Sequence, residues 1–151
     1  MPLIYEKIMV TLDGSAFAAQ AMPHALALAG VHNAELILLR VVSPVTPLKD
    51  FAHDGSLLHS EEHQAHLLDE ANQAMSALAQ ELTLQKYKVT PLAEVGLPAE
   101  TIIDYAQAHN VSLIVMSTHG RTGLSRWVYG SVADKVLRAA PCPVFLIRAT
   151  L

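Results

Sequence analysis

Lys7-Ile8-Met9-Val10-Thr11-Leu12-Asp13-Gly14-Ser15 is the stretch on which the fold turns. From Tyr5 to Leu12 it reads as a strand in which neighbouring residues are apolar, so both faces need cover. Asp13-Gly14-Ser15 then stops it with turn-forming residues. The alanine-rich residues 16 to 30 follow, with Phe17, Ala21, Ala25 and Leu28 at helical spacing. Working outward, the same alternation returns. Ala34–Val42 is a second apolar strand, and Leu67, Ala71, Ala74, Leu78 and Leu82 form the stripe of the next helix. A long loop over 43–60, marked by Pro44, Pro47, Asp54 and Gly55, separates the two. Tyr87–Val95 is a third strand, and Gly96-Leu97-Pro98 opens a helix whose inner face is Ile102, Ile103 and Ala106. Leu113–Met116 is a fourth strand, Ser131–Ala139 a helix, and Val144–Ile147 a fifth strand. Strands apolar on both faces that alternate with helices predict an α/β protein: a doubly wound, Rossmann-like, five-stranded parallel sheet with helices on both faces. Ligands of such sheets sit beyond the strands' carboxyl ends, where strand order reverses. That points to Thr11–Ser15, Val41–Pro44 and Ser117–Ser131.

Composition fits this fold. The 151 residues predict a single domain over 1–151. Hydrophobic residues make up 52% and charged residues 16%, which excludes a disordered chain. No apolar run approaches the ~18–20 residues that cross a bilayer, so membrane insertion is not expected. Met1-Pro2-Leu3-Ile4-Tyr5-Glu6-Lys7 lacks a secretory layout. One cysteine, Cys142, cannot form an internal disulfide, and a cytoplasmic setting is expected. A formal charge of -4 argues against a nucleic-acid surface.

The chemistry concentrates in Met116-Ser117-Thr118-His119-Gly120-Arg121-Thr122-Gly123-Leu124-Ser125-Arg126-Trp127-Val128-Tyr129-Gly130-Ser131. A strand feeds a glycine-containing loop, and a helix starts at its end. Unpaired N–H groups and the positive dipole end make such a helix start an anion site. Arg121, Arg126, Lys135 and Arg138 face one acid, Asp134, in this region. Neither a Walker P-loop nor a G-x-G-x-x-G fingerprint is present. Ser131-x-x-Asp134 also reads as a variant capping box, which would satisfy the same N–H groups from within. Asp13 reads equally as a cap for the first helix.

The run Ser117-x2-Gly120-x9-Gly130-Ser131, with Val132-Ala133-Asp134-Lys135-Val136-Leu137 and Ala140-Pro141-Cys142-Pro143-Val144, closely resembles the universal stress protein family. The opening Lys7–Ser15, Gly96-Leu97-Pro98 with Ile102, and Leu113-Ile114-Val115-Met116 extend the resemblance over essentially the whole chain. Its nucleotide-binding branch carries G-x2-G-x9-G-[ST]; here Ser117 stands at the first glycine, and Gly120, Gly130 and Ser131 match the rest. Serine is poor at positive φ, so a left-handed backbone at 117 would lower affinity. The resemblance implies ATP, with Mg²⁺ or Mn²⁺ on its phosphates. Thr11 and Leu12 would border the adenine, Val41 would offer backbone groups to its edge, and Met116 would pack against it. Asp13 would lie near ribose or a metal-bridged phosphate. Gly120, Arg121, Gly130, Ser131 and Val132 would surround ribose and phosphates. The resemblance also implies a homodimer joined through the last strands, Val144, Phe145, Leu146 and Ile147, and the expected role is an ATP-binding sensor or regulator, under stress, of a partner protein such as a transporter or enzyme.

Rival readings are a slow ATP hydrolase or autophosphorylating protein, using Ser131 or Thr118 with Asp13 or His119, and a dimer that binds no nucleotide. AMP or a cyclic nucleotide is a further option. His59, His63 and His66 share a helix face at i, i+4 and i+7. That spacing suits Zn²⁺ or Ni²⁺, with a solvated polar face as the plainer reading. Trp127 and Tyr129 beside Arg126 read as packing or partner contact, and Cys142 as an inert thiol.

Overall fold

A computed structural model describes residues 2–44, 56–118 and 130–150, with residues 56–59 as backbone only. In chain order the elements are β1 (Lys7–Leu12), α1 (Ala16–Ala19), α2 (Met22–His32), β2 (Glu35–Val42), α3 (Ser56–Leu84), β3 (Lys88–Val95), α4 (Pro98–Ala108), β4 (Leu113–Ser117), α5 (Ser131–Ala139) and β5 (Val144–Ile147). The five strands form one sheet in the order β3-β2-β1-β4-β5. Every pairing is parallel, with Met9 opposite Ile37 on one side and Ile114 on the other. The expected fold class is therefore borne out.

The period of two divides the core. Ile8, Val10, Leu12, Leu36 and Leu38 pack with Ala25 and Ala29 of α2 and with Met75, Ala79 and Leu82 of α3. Met9, Ile37, Leu39, Ile114 and Met116 pack on the other face with Ala99, Ile102 and Ala106 of α4 and Val136 of α5. Both parities of β1 and β2 are buried, as the apolar run required.

Three local expectations are corrected. The helix expected over 16–30 is two helices, broken at Gln20–Ala21. Pro23, in the first turn of α2, has no N–H to continue a helix from α1. The inner stripe of α3 is Ala71, Met75, Ala79 and Leu82, whereas Ala74 is exposed. The loop expected over 43–60 yields to helix at Ser56. Pro91 lies within β3 and is tolerated because β3 is an edge strand. Among the described residues, no helix is long and apolar enough to cross a membrane.

Candidate functional site

Chain order runs outward from β1 to β3, then restarts at β4 on the other flank of β1. The reversal falls between β1 and β4. A crevice opens there beyond the carboxyl ends of the strands.

Its first wall is the β1–α1 turn. Asp13 Oδ1 accepts the Ser15 N–H at 2.8 Å, and Ser15 Oγ accepts the Ala18 N–H at 3.1 Å. Ser15 is thus the cap of α1, and Asp13 shapes the turn before it. Gly14 between them has φ +84°, and the Arg40 guanidinium lies over it: Nη2 is 3.1 Å from where a Cβ would stand. The positive φ favours glycine there, and a side chain at 14 would make the guanidinium shift by a few tenths of an ångström.

The second wall is the end of β4. Met116, Ser117 and Thr118 are buried there. Ser117 is the last residue of β4 and is not among the described residues with positive φ, so serine carries no backbone penalty at this position. Its buried Oγ has no hydrogen-bond partner among the described residues.

The third wall is the start of α5. Gly130 is the N-cap, with φ +86°, and no side chain among the described residues caps the helix. A Cβ at 130 would stand 2.9 Å from the Thr118 carbonyl oxygen, so both conformation and space demand glycine. The capping box read from Ser131 and Asp134 does not form. Asp134 instead accepts from Arg138 Nε at 3.0 Å, one turn further along, and its backbone N–H donates to the Gly130 carbonyl. Among the described residues no side chain caps the first-turn N–H groups of α5, an arrangement that suits water or an anion there.

These walls enclose a cavity of about 530 Å³. That volume lies within the roughly 300–1,000 Å³ of small-molecule sites. Thr11, Leu12, Asp13, Val41, Met116, Ser117, Gly130, Ser131 and Val132 all line it. Gly120 and Arg121, with His119, Trp127 and Tyr129, lie outside the described residues. Arg40, Thr118 and Pro98 also line the cavity and had no ligand role in the sequence reading of nucleotide contacts. Arg40 alone carried a signal: it is a cation within the apolar run of β2.

The histidine face holds little. His66 Nε2 lies 3.3 Å from Glu70 Oε1, both exposed, and the His59 side chain is outside the described residues. No group of three metal-binding side chains occurs among the described residues. Burial pushes the Cys142 thiol up, and a backbone hydrogen bond with Ile114 opposes that shift.

An open parallel sheet with a ligand-sized crevice at its switch point, beside a helix that starts at a glycine, places the chain in the class of doubly wound α/β proteins. The model of the universal stress protein family matches residues 4–148, and the chain belongs to that family. Universal stress protein MJ0531 of Methanocaldococcus jannaschii is 34% identical over 145 residues, covering 96% of this chain and 83% of the relative. The solved structure of MJ0577, from the same organism, superposes with a TM-score of 0.83 at 28% identity, covering 99% of both chains. UspA of Lactobacillus plantarum gives a TM-score of 0.75 at 30% identity, covering 97% of this chain and 100% of that one.

Proposed function

We propose that this protein binds an adenine nucleotide, ATP with Mg²⁺ or Mn²⁺ on its phosphates, in the cavity at the β1/β4 switch point. It acts as a cytoplasmic homodimer, and a regulated protein reads its occupancy. The observation that carries this reading is the start of α5, which no side chain among the described residues caps. Gly130 presents backbone without a side chain, and Asp134 is engaged by Arg138 instead of closing the helix end. Phosphates fit such a start, and the apolar residues Leu12, Val41 and Met116 at the strand ends suit a base. Bound nucleotide would supply negative charge at α5; the chain's own part is to orient it and keep water from the base. A universal stress protein 19% identical to this chain has been solved in complex with cAMP. That likeness extends to the fold alone, so cyclic nucleotide belongs in the test as a competitor.

The test is calorimetric titration of nucleotide-stripped protein with ATP, AMP and cyclic AMP, with and without Mg²⁺. Gly130 is a poor position for an added charge, since any side chain there is strained. Ser131 is exposed and suits the purpose. ATP should bind at micromolar affinity, and Ser131→Glu should weaken it by about tenfold or more while the fold persists. Failure of the wild type to bind ATP at millimolar concentration rejects the reading.

A further inference from the structure

The segment after β5 is tied down at two points. The Ala149 N–H donates to Thr118 Oγ1 at 3.3 Å. One residue on, the Thr150 N–H donates to Gln20 Oε1 at 2.9 Å, and Gln20 Nε2 donates to the Thr150 carbonyl at 2.6 Å. One side-chain amide thereby satisfies both backbone groups of Thr150, as an adjoining strand would.

Each anchor leads back to a different wall of the cavity. Thr118 lines the cavity, its carbonyl faces Gly130, and its N–H donates to the Ile147 carbonyl at 2.9 Å. Gln20 is the C-cap of α1, a helix only four residues long. That helix starts at Ser15, whose N–H is held by Asp13 of the opposite wall. The strap thus spans the β1–α1 wall and the β4–α5 wall. The Gln20–Thr150 bonds are exposed, and exposed hydrogen bonds open at low free energy.

We infer that Arg148–Thr150 is a strap that tightens when one ligand bridges the two cavity walls, carrying occupancy to the molecular surface beside β5. The inference rests on the nucleotide reading above. A ligand that contacts both walls favours the arrangement in which both anchors are made, to the extent of its differential affinity for that arrangement. Arg148 and Thr150 are exposed, so the state of the strap is presented to a partner.

The experiment is amide hydrogen exchange at Ala149 and Thr150, read by NMR on the full chain, with Mg-ATP at saturation fixed by calorimetry. In the wild type, ATP should slow exchange at both amides by about fivefold or more. Gln20→Ala, which lies outside the cavity, should lose the slowing at Thr150 and, by reciprocity, weaken ATP binding by no more than the factor by which ATP slows exchange there in the wild type. Unchanged or faster exchange in ATP-bound wild type overturns the strap while leaving the nucleotide reading standing. Retained slowing at Thr150 in Gln20→Ala overturns the role of Gln20. A wild type that binds no ATP overturns both. The wild-type comparison decides the matter even if the variant folds poorly.

Discussion

Gly130 is the residue on which the site's geometry depends most. Its φ of +86° and ψ of 148° lie in a region nearly closed to other residues, and the Thr118 carbonyl blocks a Cβ. Gly130→Ala should therefore cost about 1–3 kcal/mol in urea unfolding, with no charge introduced. Ser117 makes the opposite case. Its buried hydroxyl lacks a partner among the described residues, and an unsatisfied buried hydroxyl is costly. Ser117→Ala should raise stability by about 1 kcal/mol, read as a higher urea midpoint with an unchanged slope. Cys142 is half-buried with its thiol pushed up by burial, so little thiolate forms at neutral pH. Its reaction with a disulfide reagent at pH 8 should be slower in the folded chain than in urea; equal rates would contradict the packing around it.

At the scale of elements, the core face of α3 is the clearest lever. Met75 is 5% exposed and packs with Leu36, Leu38 and Leu82, so Met75→Ala should destabilise by about 2–4 kcal/mol in chemical denaturation. The elements were largely legible because β1, β2 and β4 are apolar on both parities, and only a sheet covered on both sides buries such strands. Less was legible inside the helices. The α3 stripe slipped because alanines at 71, 74, 77 and 79 fit several helical faces, and Met75 signals its direction only once a sheet lies beneath it. The α1–α2 break was hidden because an alanine-rich run outweighed one proline. In the site, residues at strand ends were legible, since topology alone puts Thr11, Asp13, Val41 and Ser117 on one side. The outcome at Asp134 was not, because spacing cannot tell a capping carboxylate from one paired with Arg138. Arg40 was missed because its approach to Gly14 depends on a backbone angle that sequence does not display.

For the molecule as a whole, the outer edge of β5 is the proposed dimer surface, and Phe145 is 40% exposed on that strand, its ring edge-on to His24 at 5.7 Å. An apolar terminal strand of a sheet invites pairing, and a lysine placed on it opposes that. Phe145→Lys should shift sedimentation from dimer to monomer with the circular dichroism spectrum unchanged. Tyr105 contributes to the alkaline limit. Burial foremost, then the charges of Glu35 and Glu94, push its phenol up. The folded state therefore holds that proton more tightly than the unfolded state does. The associated stability is present below the ordinary phenol range, about pH 10, and is lost as pH rises through the folded value. Tyr105→Phe should flatten the fall in melting temperature at alkaline pH. The strand order has a last consequence, in the timing of synthesis. β1 is made early yet lies at the centre of the sheet, and its second neighbour begins only at Leu113. A nascent chain can lay down β1, β2 and β3 in sequence, but Met9 and Ile37 lack their full cover until α4 and β4 have emerged. Three of the five strands wait on the ribosome with one oily face open, and a stalled or truncated chain ending before Pro98 should need a chaperone to stay in solution.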